Sequence, residues 1–144
     1  MVEVIKTLTL LKKCWEINLT NRIQKIFDKL KAENKKAFVS FSVAGYPDEE
    51  SSLEIAKAIA DSGSHIHEIS FPHAEAQADG PIIQLANIES IKKGINLKKI
   101  IDISKKIREH NSEIGLCLMG YLNNLYIYGI EKFAKDISGI IDAV

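Results

Sequence analysis

The chain has 144 residues, of which 46% are hydrophobic, and its 19 basic side chains balance 19 acidic ones. This length and composition predict one globular domain with an ordinary apolar core. A formal net charge of zero excludes the overall basic footprint of a nucleic-acid-binding protein. No apolar stretch approaches the roughly 20 residues of a membrane-spanning helix. We therefore expect neither a nucleic-acid partner nor a membrane-inserted segment.

The cysteines and the amino terminus indicate a cytoplasmic location. Cys14 and Cys117 are distant in sequence and lie outside any Cys-x-x-Cys pattern. Without a recognisable secretion signal, such thiols are typical of a reduced, cytoplasmic protein. Residues 1–20 are expected to be an N-terminal extension of uncertain structure, and residues 21–144 the folded domain.

The first predicted elements are a helix, a strand and a second helix. Apolar residues recur at helical spacing over 23–30. Residues 37–43 are aromatic and β-branched, as is typical of a strand. Asp48 is placed to cap the next helix, and Gly63 follows that helix as a left-handed terminator.

A second strand, a loop and two further helices follow. Alternation along residues 65–70 places Glu68 on one face of the strand and His67 on the other. Pro81 suits the first turn of the helix after the loop, because its missing N–H would have no partner there. Asn96 is placed to cap the second of these helices.

The last predicted elements are a third strand over 114–119, a short helix around 130–136 and the start of a fourth strand over 139–142. Strands alternating with helices imply parallel pairing and right-handed crossovers. An open doubly wound sheet usually has a glycine-rich loop after its first strand, where this chain has only Gly45. The sequence thus predicts an α/β fold, namely about the first half of a β/α (TIM-type) barrel with three to four βα units.

Two carboxylates mark a candidate acid–base site. Glu68 lies near the end of the second strand, and Asp79 follows just before Gly80 and Pro81. Because the carboxyl ends of parallel strands meet at one edge, these side chains can serve the same reaction. The plainer interpretation of Asp79 is a cap for the following helix, which is compatible with a catalytic role.

Four sequence blocks, in order, closely resemble the α subunit of tryptophan synthase. These blocks are Lys36–Asp48, Glu68–Asn87, Leu118–Asn123 and Tyr128–Phe133. The resemblance runs from about Asn21 to Ser138. It implies an eight-stranded β/α barrel that acts in tryptophan biosynthesis. It further implies a lyase that cleaves indole-3-glycerol phosphate to indole and glyceraldehyde 3-phosphate by a retro-aldol reaction. The family has no cofactor of its own and pairs with a β subunit that uses pyridoxal phosphate.

The resemblance also implies roles for four side chains. Glu68 matches the family's catalytic glutamate, which serves as general acid and base. Asp79 matches its catalytic aspartate, a partner for the indole nitrogen. Tyr121 and Phe38 match residues that line the indole pocket.

The chain departs from the family in two loops. The family's Pro-Phe-Ser-Asp-Pro is Pro72-His-Ala-Glu-Ala76 here, so that Glu75 replaces an aspartate involved in signalling to the β subunit. The family's Asn-Pro becomes Asn123-Asn124. These changes are expected to alter loop rigidity and communication with a β subunit. The family's later barrel units, which hold the substrate phosphate on glycine-rich loops and a helix N-terminus, lie beyond the resembling region.

Two alternatives remain beside the lyase hypothesis. A metal site would need three or four ligands, and His65 and His67 face away from Glu68, while His73 and Glu75 follow in the loop; we expect no metal site. The second alternative is a catalytically inactive half barrel that only binds a partner, and whose open strand edges favour self-association.

Overall fold

The computed structural model describes residues 22–144, and the expected extension over residues 1–20 lies outside this range. Helices and strands alternate through most of it. In chain order the elements are α1 (Arg22–Ala32), β1 (Val39–Val43), α2 (Glu49–Asp61), β2 (Ile66–Ser70), α3 (Pro81–Lys92), α4 (Leu97–His110), β3 (Gly115–Met119), α5 (Leu122–Tyr128) and α6 (Ile130–Ile137). No helix within residues 22–144 has both the length and the apolar character needed to cross a bilayer.

The three strands form one parallel sheet in the order β1-β2-β3. In this register Phe41, Glu68 and Cys117 lie side by side across the sheet. The predicted fourth strand is present as a single parallel bridge from Cys117 to Ala143, which begins later than the predicted residues 139–142. The parallel α/β architecture is therefore confirmed, and the sheet is a partial barrel wall.

Side-chain capping explains where two of the helices begin. The Asp48 carboxylate accepts a hydrogen bond from the Ser51 N–H at 2.8 Å, and Asn96 accepts from the Lys99 N–H at 3.1 Å. Both caps satisfy backbone donors that have no partner within the helix. At α3 the N-cap residue is Gly80, so the expectation that Asp79 caps this helix is corrected.

Helix α5 is absent from the sequence-based elements. It has seven residues and buries only Leu125. So short a segment carries no apolar stripe, and its conformation depends on packing against the rest of the chain.

The apolar core lies between the sheet and the helices α2 and α4. Its members come from alternate strand positions and from one face of each helix, as period-two and period-3.6 patterns require. They include Ala56, Ala60, Ile69, Ile100, Ile103, Ile107, Leu116 and Leu118.

A buried histidine lies on this helix-facing side of the sheet. His67 has no exposed surface, and its two ring nitrogens lie 3.0 Å from the Ser40 hydroxyl and 3.1 Å from the Ser42 hydroxyl. Burial lowers the pKa of His67 from 6.5 to about 4, although a hydrogen bond from the imidazole to the Ser40 backbone opposes this shift. The imidazole is therefore neutral at physiological pH, and this face is structural.

The free energy of unfolding should fall in acid because of His67. The unfolded chain binds the proton more readily than the folded chain between about pH 4 and pH 6.5. The stabilisation is thus complete above pH 6.5 and is lost as the pH falls towards 4. The total decrease in the free energy of unfolding is about 3 kcal/mol.

Urea unfolding at a series of pH values should show this slope of stability against pH. His67→Asn should flatten it, whereas the exposed control His110→Asn should keep it; an unchanged slope in His67→Asn would contradict the assignment.

A nearly buried cluster of ion pairs connects the carboxyl-terminal segment with the sheet. The Asp142 side chain is 4% exposed and lies 2.8 Å from Arg108 and 3.0 Å from Arg22. It also accepts a hydrogen bond from the Leu116 N–H at 2.9 Å. Arg108 in addition donates to the Ile140 carbonyl at 3.1 Å. One carboxylate thereby joins α1, α4, β3 and the segment that follows α6.

Candidate active site

Glu68 occupies the middle of the sheet face that points away from the core helices. Its neighbours in register are Phe41 on β1 and Cys117 on β3. Glu68 is half-buried and lines an open cleft of about 550 Å³. Apolar residues around α5, α6 and the last residues of the chain form most of the cleft wall; they include Phe71, Leu125, Phe133, Ile137 and Ile141. A carboxyl group in such a setting is partly shielded from water and can still reach a small ligand.

The structure does not place Phe38 beside Glu68. Phe38 precedes β1, its N–H donates to His65 Nδ1 at 3.1 Å, and its side chain is 57% exposed. It therefore lies towards the amino end of the sheet. Phe41 is the phenylalanine beside Glu68. Strand alternation over residues 39–43 could have indicated this position of Phe41, because Phe41 and Val43 share one face of β1.

The pKa of the Cys117 thiol depends on its burial and on the neighbouring Glu68. Burial raises the pKa of the Cys117 thiol to about 11, and the negative charge of Glu68 adds to the shift. The thiol is therefore protonated at neutral pH. This excludes Cys117 as an activated nucleophile, because nucleophilic cysteines have lowered pKa values.

Cys117 should react slowly with thiol reagents. A pKa raised from 9.0 to about 11 lowers the thiolate fraction about a hundredfold at pH 8. The rate would be measured on a Cys14→Ser chain, so that only one thiol responds. Removing the neighbouring charge in Glu68→Gln should accelerate the reaction, whereas Glu54→Gln should not. Equal rates in all three chains would contradict the proximity of Glu68.

Asp79 and Tyr121 are brought together at the carboxyl end of the sheet. The Tyr121 hydroxyl accepts a hydrogen bond from the Ala78 N–H at 2.9 Å and lies 3.5 Å from Asp79 Oδ2. Asn87 Nδ2 lies at the same distance, 3.5 Å, from Asp79 Oδ2. These last two contacts are longer than ordinary hydrogen bonds, and such contacts often tighten only when substrate binds.

A side chain of α3 donates hydrogen bonds to the backbone at Asp79 and just before it. Gln84 Nε2 donates to the Asp79 carbonyl at 2.9 Å and to the Ala76 carbonyl at 3.2 Å. Asn87 is 1% exposed, and its Oδ1 has no hydrogen-bond partner among the described residues. The contact of Asn87 with Asp79 was not predicted, because a separation of eight residues across the start of a helix carries no specific sequence signal.

Glu68 and Asp79 belong to the same βα unit. Glu68 lies on β2, and the loop that begins directly after β2 carries Asp79. Neither Asp79 nor Tyr121 lines the cleft beside Glu68. The structure therefore joins Asp79 with Tyr121 as one group and Phe41 with Glu68 as a second group. The first group lies beyond the carboxyl ends of β2 and β3, the end at which β/α barrels carry their active sites.

The histidines are engaged in other contacts. His65 accepts from the Phe38 N–H, His67 contacts two serines, and His73 Nδ1 lies 2.8 Å from Asn124 Oδ1. Within residues 22–144 no group of three or more His, Cys, Asp or Glu side chains is arranged to hold a metal ion.

Comparison with known proteins identifies the family. Residues 27–141 match the family profile described as tryptophan synthase alpha chain. A tryptophan synthase alpha chain from Caldanaerobacter subterraneus subsp. tengcongensis is 41% identical over 116 residues, which make up 81% of this chain and 44% of that protein. The chain thus spans less than half the length of this curated relative.

Solved structures agree with this match. A structure from Aquifex aeolicus VF5 superimposes with a TM-score of 0.82 at 36% identity, covering 87% of this chain and 50% of that one. A tryptophan synthase subunit alpha from Legionella pneumophila str. Paris gives 0.81 at 30% identity, covering 85% and 47%. These neighbours are TIM barrels, and the described sheet corresponds to one part of such a barrel. The chain belongs to the tryptophan synthase alpha chain family.

Proposed function

We propose that this chain carries the acid–base part of a tryptophan synthase alpha-type active site. The proposed reaction is the retro-aldol cleavage of indole-3-glycerol phosphate to indole and glyceraldehyde 3-phosphate. The observation that supports it most is the position of Glu68, half-buried on β2 beside Phe41 and an apolar cleft. Family membership supports the choice of reaction.

Glu68 serves as general acid and then as general base. The C3 atom of the indole ring must gain a proton before the C–C bond breaks, and a carboxyl group over that carbon can supply it. The hydroxyl next to the breaking bond must then lose a proton, which the resulting carboxylate can accept. One side chain thereby completes both proton transfers.

Asp79 stabilises the charge that develops on the indole nitrogen. Its carboxylate accepts a hydrogen bond from the indole N–H. The Tyr121 hydroxyl lies 3.5 Å from Oδ2 of this carboxylate. Tyr121 and Phe41 then contact the faces of the ring, so that the pocket role expected of Phe38 is proposed for Phe41.

We propose a tryptophan synthase β subunit as the protein partner and the cytoplasm as the location. The site itself needs no cofactor for this chemistry, since both proton transfers and the charge stabilisation are assigned to carboxylates. The loop Pro72–Ala76 and α5 lie beside Tyr121, so a partner that contacts them could influence the position of Asp79.

The test is the release of indole from indole-3-glycerol phosphate by the chain alone and with a β subunit. Release above that of a protein-free sample, and lower in Glu68→Gln, supports the proposal. Equal background release by the wild type and Glu68→Gln would contradict it.

A binding module is the second candidate function, and exposed apolar residues favour it. Val39 is 49% and Phe41 38% exposed on the open sheet face, and Ile82 on α3 is 84% exposed. β1 has no strand on its outer side within the described residues. Such an edge pairs readily with another chain. For the 144-residue polypeptide expressed alone we therefore expect self-association, which sedimentation would show; a cooperative monomer would contradict this.

A further inference from the structure

His73 and Asn124 come from two different βα units and contact each other. His73 lies in the loop after β2, and Asn124 in α5 after β3. The His73 Nδ1 atom is 2.8 Å from Asn124 Oδ1, and Asn124 Nδ2 donates to the Pro72 carbonyl at 3.0 Å. The two hydrogen bonds connect the ends of neighbouring βα units. We call this contact the loop clip.

The loop clip continues into the candidate site through an aromatic stack. The His73 ring lies on the Tyr121 ring, with centroids 4.7 Å apart and planes inclined by 22°. Stacked rings restrict one another's orientation. The Tyr121 hydroxyl in turn accepts from the Ala78 N–H, directly before Asp79. A displacement of the imidazole would therefore move the hydroxyl that holds the Asp79 loop.

We propose that His73 and Asn124 are positioning residues for Asp79. Asn124 holds the imidazole, the imidazole orients Tyr121, and the Tyr121 hydroxyl fixes the loop at Ala78. Both residues stand where the chain departs from the family's Phe and Pro, so a polar contact is present here in place of an aromatic residue and a proline. The catalytic consequence rests on the proposed function, but the structural consequence does not.

The structural test measures amide hydrogen exchange at Ala78 by nuclear magnetic resonance. His73→Ala removes both the stack and the hydrogen bond, and should accelerate exchange about tenfold. His73→Phe keeps the stack and loses only the hydrogen bond, and should accelerate it less. Gln77→Ala, an exposed change in the same loop, is the control and should leave the rate unchanged. A rate in His73→Ala equal to that of the control, in a chain with native circular dichroism, would overturn the proposal.

The catalytic test separates kcat from KM for indole-3-glycerol phosphate. His73→Ala should lower kcat about tenfold with little change in KM, because Asp79 is proposed to act on charge that develops in the transition state. His73→Phe keeps the stack on Tyr121 and should therefore retain more of kcat than His73→Ala does. Kinetics of His73→Ala equal to those of Gln77→Ala would overturn the proposal. If the wild type releases no indole, the proposed function fails, and the exchange at Ala78 still decides the loop clip.

Discussion

Glu68→Gln should release indole from indole-3-glycerol phosphate about a hundredfold to ten-thousandfold more slowly than the wild type. Glutamine keeps the size and hydrogen-bonding capacity of the side chain but cannot exchange a proton at neutral pH. Both proton transfers of the proposed mechanism would then lack their carrier. The loss should appear in kcat, and KM should change little, because the amide still fills the same space beside Phe41.

The matched control for this prediction is Glu89→Gln. Glu89 lies on α3 and makes a surface ion pair with Lys92 at 2.9 Å. Its replacement changes the net charge by the same amount, so a general effect of charge would appear in both variants. Wild-type activity in Glu68→Gln would show that another group moves the protons.

Asp142→Ala should lower the free energy of unfolding by about 4 kcal/mol. The carboxylate neutralises Arg108, whose side chain is 10% exposed, and contacts Arg22. Removing one member of a buried pair leaves the other charge without compensation, which typically costs about 3–5 kcal/mol. The backbone N–H of Leu116 would lose its acceptor as well. Urea unfolding followed by circular dichroism would measure the change.

An exposed pair provides the comparison for Asp142→Ala. Glu54 and Lys57 lie 2.9 Å apart, but the Glu54 side chain is 65% exposed. Glu54→Ala should therefore change the free energy of unfolding by no more than about 0.5 kcal/mol. If the two variants had similar stabilities, the ion cluster would not be a significant anchor of the sheet.

The regular elements were predictable because their signals are local. The caps Asp48 and Asn96 and the alternation around Glu68 depend on neighbouring residues, and each prediction is confirmed. Helix α5 was not predictable, since a seven-residue helix depends on tertiary contacts. The fourth strand was placed too early, because its register follows from Asp142 and its contacts with distant side chains.

The candidate site could be predicted only in part. Glu68, Asp79 and Tyr121 follow from the family resemblance, and their catalytic and binding roles remain predictions. The contacts of Asp79 could not be predicted, because Asn87 and Tyr121 approach it from separate elements. The contact between His73 and Asn124 could not be predicted either, because the two residues are 51 positions apart and meet only in the folded chain.

The anchoring of Asp142 has a consequence for how a further strand would be added to the sheet. The carboxylate accepts from the backbone of β3, and the Asp142 N–H donates to the Leu116 carbonyl at 2.8 Å. A shift of one position would turn this side chain to the opposite face and leave two arginines unneutralised. The ion pairs thus favour one alignment of this segment on β3. Any polypeptide joined after Val144 would inherit that alignment.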